Sequence, residues 1–478
     1  MASKLSIIEK LCYSSIKAGI GRLSDIRTWP RPSAARRLKV GYDFYRDQMK
    51  DIQDVNNFLE YLAADGDIRS IYFAQPGMSA DHISVLYEFW ELLLLRMLPE
   101  IESMEPSKRV FQKWFRRFYK ELYSPTAIWR IIDTVTGLNL HGKVLNFDEA
   151  TALISRPAYD LGRDIWGPYE YPVEGQGIPE NWSAVGSDNA VIVTTVRIPK
   201  SQYAGSYMPY PHLTMDVERS MAVIDAIRLV KSGAPRRHCH AEFQVSHFPL
   251  STRFAYCQHK GSRNPYESEA VLDKRDYFHV RNIWRELMNT KYKDMWPTHH
   301  KLSPFDVAFA GFSRSYEMRS WLDNIVDLTI ALESLFGPKD NQELRHRISL
   351  RAAWLLSEDD REKPARLRDR IYDYVRTMYD IRSCRVHGDI PKDTKIRKWV
   401  QTLSGAQYAR HDTTEEIRLI GLALESAREI VRKALLACMK LQELDPGGPH
   451  WPLPDDFDQN IVILGRRKVW QEAAGIAR

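Results

Sequence analysis

Cysteine is scarce in this chain. The five residues, at positions 12, 239, 257, 384 and 438, are scattered and odd in number, which excludes a disulfide framework. Long apolar runs are missing too. The richest, Leu92–Leu95, is interrupted by Glu91 and Arg96 and is too short to span a bilayer. No signal-peptide layout appears, so a reducing cytoplasm and no membrane are expected. There is no P-loop, no dinucleotide-binding glycine pattern and no internal repeat. Neither sign of charge dominates: 68 Lys and Arg against 62 Asp and Glu leave +6, which permits a nucleic-acid partner without demanding one. What is present is a folding composition, 44% hydrophobic and 11% aromatic over 478 residues, enough for two or three domains.

Periodicity and breakers predict an α+β chain with more helix than strand. Helices are expected over residues 1–20, 47–64, about 79–104, 107–123, 213–232 and 267–292, and residues 124–160 also read as mainly helical. Ala190–Ile198 reads as a strand, and residues 238–259 as two strands around Pro249. The Pro-, Gly- and Trp-rich stretch 159–187 reads as a long loop. In residues 107–123 the apolar stripe Phe111, Trp114, Phe115, Phe118 and Leu122 faces away from Lys108, Arg109, Lys113, Arg116, Arg117 and Lys120. That pattern suits either an RNA-facing basic helix or an amphipathic helix with a solvated basic face. The tail from Pro446 is expected to become strand-like at Asn460–Leu464.

Four helical stretches follow residue 300. Asn324–Phe336 is apolar at helical spacing, stops at Gly337 and carries Glu333 within its apolar text, where a carboxylate needs a partner. Glu343–Leu356 is amphipathic. A third helix runs from about Ala365 into Tyr379-Asp380-Ile381-Arg382-Ser383-Cys384-Arg385-Val386-His387-Gly388, and a fourth spans about Thr414 to Leu441. Arg382 offers a permanent charge and a planar fork of donors to phosphate oxygens. His387, with an unperturbed pKa of about 6.5, exchanges protons near neutrality. Together they suit phosphodiester cleavage in which the RNA 2′-hydroxyl is the nucleophile. The bare spacing also fits a surface arginine and a helix-terminal histidine favoured by the macrodipole, with Gly388 at C′.

The order Leu332-Glu333-x-Leu335-Phe336, then Arg351-x-Ala353-x-Leu355-Leu356, then Tyr379-x-x-Arg382-Ser383-x-x-Val386-His387-Gly388 resembles the Apea-like branch of the HEPN superfamily over about residues 300–442. The family's Arg-x4-6-His motif falls on Arg382 and His387, and its following polar residue on Ser383. The resemblance implies an all-α bundle, dimerisation that joins two motifs, and metal-independent RNA cleavage without a cofactor. Many members are toxins or act in antiphage defence and abortive infection, and some are non-catalytic. The expected division is a mixed α/β sensing or regulatory region over 1–297 (possible subdomains 1–160 and 161–297), a HEPN bundle over 300–442 and a tail over 443–478. At about 100° per residue, positions 382 and 387 point about 140° apart, so a homodimer or higher homo-oligomer is expected to complete the cleft.

Around the motif, Ser383, Tyr379, Glu333 and Arg351 are expected to support it. Glu333 and Arg351 read as an internal pair, and Glu333 to Arg382 is the alternative. Arg345, Arg347 and Arg385 are candidates for guiding an RNA backbone. Cys239, His240, Cys257 and His259 have zinc-ligand chemistry but not zinc-ribbon spacing, and ordinary strand residues are the competing reading; His299 and His300 lack a nearby thiol or carboxylate. The partners implied are an RNA substrate, a second copy, and a phage or cellular trigger sensed by the N-terminal region. The alternative is a non-catalytic dimerisation or RNA-binding module. Residues 1–297 show no nucleophile–base or paired-carboxylate arrangement of their own.

Overall fold

The computed structural model describes residues 4–25, 49, 51–72, 82–97, 100, 106–155, 190–200, 211–244, 252–255, 268–289, 303–317, 320–337, 343–357, 364–407, 412–444, 458, 461 and 463–473. The expected loop over 159–187 and the residues Cys257, His259, His299 and His300 lie outside these. The protein is mostly helical, with an antiparallel sheet region in its N-terminal part and an all-helical C-terminal part. Two compact units are interleaved along the chain. The first comprises residues 1–134, 148–220 and 239–257; the second comprises 135–147, 221–238 and 258–478. Among the described residues no helix is long and apolar enough to cross a membrane.

In the first unit, helices α1 (Lys4–Asp25), α2 (Gln53–Ala64), α3 (Gly66–Tyr72), α4 (His82–Met97) and α5 (Lys108–Leu122) share one aromatic-rich core. Helix α5 starts where the Ser107 hydroxyl accepts the Val110 N–H, an N-cap bond. Its stripe Phe111, Trp114, Phe115, Phe118 and Leu122 is wholly buried, so the aromatics are core and only the opposite basic face meets solvent. Lys113 on that face already pairs with Glu100 at 2.6 Å.

Of the stretch 124–160, read from periodicity as mainly helical, the described residues 124–155 are mainly strand and none lies in a helix. β1 (Thr126–Thr136) begins it, followed by β2 (Leu138–Leu140), β3 (Val144–Asn146) and β4 (Thr151–Ser155). The reason lies in the side chains: Ile, Val, Thr and Trp crowd a helix at χ1 but pack well on a pleated surface. With β5 (Ala190–Pro199), β6 (Arg236–Gln244) and β7 (Thr252–Ala255), five neighbouring strands of the main sheet run β4-β5-β1-β6-β7. The β4–β5 and β6–β7 pairs are antiparallel, with Thr151 opposite Thr194 and His240 opposite Ala255. Below the sheet's apolar cluster, buried Lys200 donates to the Tyr72 hydroxyl at 3.0 Å and to the Glu121 carbonyl at the end of α5. Burial pushes its amine down to about 8, with Glu121 opposing.

The second unit takes in the C-terminal part of helix α6 (Pro211–Val230), the small parallel pair of β2 with β8 (Ala270–Leu272), and helix α7 (Asp276–Asn289). The expected helix over 267–292 therefore opens with a strand, and the Asp276 carboxylate starts α7 by accepting the Asp273 N–H at 2.8 Å. The bundle follows: α8 (Pro304–Arg314), α9 (Trp321–Phe336), α10 (Leu344–Leu356), α11 (Pro364–Val386), α12 (Asp393–Ser404) and α13 (Thr413–Leu444). Helix α9 is central and packs against α8, α11 and α13. Its approach to α8 is close enough that a Cβ at Gly311 would lie 2.6 Å from the Asp327 carbonyl oxygen. A last helix, α14 (Leu464–Ala473), begins at the end of the stretch expected as a strand over Asn460–Leu464, of which Asn460 and Val462 lie outside the described residues. Tertiary contact decides this. Ile461 is buried, and the Gln471 amide donates to the carbonyls of Trp354, Leu355 and Ser357 at the end of α10.

Candidate functional site

Helix α11 places the motif. Ile371, Tyr374, Val375, Met378, Ile381 and Cys384 are buried along one side, which leaves Tyr379, Arg382 and Ser383 half-buried and His387 exposed. The helix closes in a Schellman motif. The Asp389 N–H bonds the Cys384 carbonyl at 3.0 Å and the Gly388 N–H bonds the Arg385 carbonyl at 3.3 Å, the double bond that needs a left-handed residue at C′. Gly388 supplies it at φ +75°. His387 is thus the cap residue, and its N–H still bonds the Ser383 carbonyl at 3.1 Å. No tightening occurs, so Arg382 and His387 sit on neighbouring rows of the helix and not on one narrow face.

The carboxylate within α9 meets this motif. Glu333 lies against Arg382, with Nε–Oε1 and Nη2–Oε2 both 3.3 Å. Burial raises the Glu333 carboxyl above its usual range, and the Arg382 guanidinium opposes that rise. The same guanidinium lies 5.7 Å from the centre of the Tyr379 ring. One fork is therefore oriented from two sides, by a carboxylate and by an aromatic face. His387 differs: among the described residues its ring has no hydrogen-bonding partner. Two apolar side chains close to it in sequence are open, Val386 at 58% and Ile390 at 95% exposed.

Arg345, Arg347, Arg351 and Arg385 have carboxylate partners. Arg385 bonds Asp323 at 2.9 Å, and Arg345 bonds Asp380 at 2.6 Å. Arg347 and Arg351 both reach Asp458. Arg351 is not the partner of Glu333, because its fork turns to Asp458 and to the Phe336 carbonyl. No local pattern announced Asp458, which lies 107 residues further along the chain.

Of the four zinc candidates, Cys257 and His259 lie outside the described residues, and Cys239 is on β6. His240, on the same strand, is buried, and its Nδ1 stands 2.7 Å from Oδ1 of buried Asp133 on β1. Among the described residues no group of three or more His, Cys, Asp or Glu is placed to hold a metal ion. The Asp133–His240 pair escaped sequence reading, although a carboxylate inside the apolar run Ile131–Val135 is the signal that could have flagged a buried partner. Compared with known proteins, the chain matches no family model, no curated protein and no solved structure.

Proposed function

We propose that the protein is a metal-independent endoribonuclease of the HEPN type, built around Arg382 and His387. The observation that carries this reading is an oriented guanidinium, held by Glu333, about one and a half turns before an exposed imidazole at the end of the same helix. The neutral imidazole of one His387 takes the proton from an RNA 2′-hydroxyl. The 2′-oxygen attacks the adjacent phosphorus and the P–O5′ bond breaks. The second copy's imidazolium returns a proton to the leaving 5′-oxygen, and a 2′,3′-cyclic phosphate remains. Arg382 stabilises the charge that builds on the phosphoryl oxygens.

A second copy is needed because Arg382 and His387 face different ways on one helix. The exposed Val386 and Ile390 beside His387 are apolar surface that such a copy would cover. The remaining N-terminal region, in a soluble cytoplasmic setting, would sense a phage or cellular trigger and hold the nuclease silent. Its units interleave, so removing residues 1–297 would also remove β2 and part of α6 from the second unit. Point variants are therefore the better test. Arg382→Ala and His387→Ala should each abolish RNA cleavage with circular dichroism kept; melting should be unchanged in His387→Ala and lower in Arg382→Ala, which leaves Glu333 without its counter-charge. Wild-type cleavage by either variant would refute the assignment.

The Glu333 contact also favours a second reading. A guanidinium already neutralised in the free protein suits a bundle that dimerises without cutting. Under that reading Arg382→Ala would lower the melting temperature and dimer yield, with no cleavage to lose.

A further inference from the structure

Two arginines of α10 converge on one carboxylate from the end of the chain. Arg351 grips Asp458 through one edge of its guanidinium in a bidentate contact, Nε to Oδ1 at 2.6 Å and Nη2 to Oδ2 at 2.7 Å. Arg347 adds Nη2 to Oδ2 at 3.2 Å. The remaining Arg351 donor is fixed by the Phe336 carbonyl at 2.7 Å. Arg351 is buried, whereas the Asp458 side chain is 42% exposed and Arg347 28%. The guanidinium is thus built into the bundle, and its counter-charge enters from the solvent side. The Asp458 carboxyl is held below its usual range by the Arg351 hydrogen bonds, against the effect of burial.

A bidentate guanidinium with a second one beside it matches a phosphate as well as a carboxylate. The location fits the same use. Phe336, whose carbonyl fixes Arg351, lies three residues beyond Glu333, which holds Arg382, so both arginines are anchored on α9 less than one turn apart. We propose that Arg347 and Arg351 form a phosphate-binding subsite for the backbone of bound RNA, and that Asp458 fills it in the free protein as a tethered stand-in. This rests on the RNA reading above and adds a regulatory step: substrate phosphate must displace the Asp458 carboxylate.

The test uses the full-length chain and a 2′-O-methyl oligoribonucleotide, which binds without supplying the attacking hydroxyl. Asp458→Asn keeps the shape and removes the charge. Affinity should rise at least tenfold and its dependence on salt should steepen. Adding Arg347→Gln should return both to wild-type values. Unchanged affinity in a folded Asp458→Asn chain would overturn the proposal. Should removal of the carboxylate weaken folding, a second readout decides. Inorganic phosphate should raise the melting temperature of Asp458→Ala more than that of wild type at equal ionic strength, and an equal rise would overturn the subsite. Oligonucleotide binding that follows these expectations in a protein that never cleaves RNA would sink the nuclease reading alone.

Discussion

Two histidines, one in each unit, show opposite uses of an ionisable group. In the first unit, His240 is sealed within the sheet and its ring is committed to Asp133, while Lys200 is buried against Tyr72 and the last turn of α5. In the second, His387 caps a helix in open solvent and Arg382 sits half-exposed beside it. A buried group with its partners specifies a fold, because leaving either partner alone is costly. An exposed group near a helix end adds little to stability but remains free to meet a ligand. The difference separates scaffold from candidate chemistry without reference to sequence motifs.

The sharpest way to break this contrast is to exchange expectations between the two histidines. His387→Ala should lower RNA cleavage by about 10²–10⁴-fold, the usual worth of a general acid–base group, with unfolding unchanged. His240→Ala should do the reverse. It strands the Asp133 carboxylate in the sheet, so chemical denaturation should register a loss of about 3 kcal/mol, while cleavage per folded molecule stays the same. Equal effects on both properties in both variants would erase the distinction.

Lys200 tests the first unit alone. Its amine is depressed in the folded state from an ordinary 10.5 to about 8, so between those values the unfolded chain binds more protons. Stability from this group therefore rises with pH across that window and is lost as pH falls through 8. At about 1.4 kcal/mol per tenfold in proton affinity, the ceiling is about 3 kcal/mol. Taken from pH 7.5 to 10.5, the melting temperature of wild type should rise relative to that of Lys200→Met. Parallel curves would show that the amine is not desolvated. The smallest effect belongs to the second unit: Glu333→Gln should slow single-turnover cleavage by roughly 10-fold, through a less well-placed guanidinium, and leave RNA affinity nearly unchanged. Full activity would make the contact incidental.

How far the sequence could be read followed how local each cause was. The α5 stripe, the end of α11 at Gly388 and the helical run of α9 were legible, since spacing and one glycine determine them. Glu333 was visible as a carboxylate in need of a partner. Its pairing with Arg351 was misread, because the answer depends on Asp458 claiming Arg351 from more than a hundred residues away. β1 was misread because its apolar run has no clean alternation: residues from Ile131 to Val135 are all buried, and both periods fit such text. The helix that starts at Leu464 was missed for the same reason as Asp458, since docking onto α10 decides it.

The central claim is that Arg382 and His387 break ribose–phosphate linkages with no ion to assist. Purified full-length protein, at concentrations that favour self-association, should be incubated with RNA in EDTA and the new 3′ ends identified chemically. The account predicts 2′,3′-cyclic phosphates that vanish in Arg382→Ala and His387→Ala. RNA left intact, or the same ends produced by both variants, would contradict it.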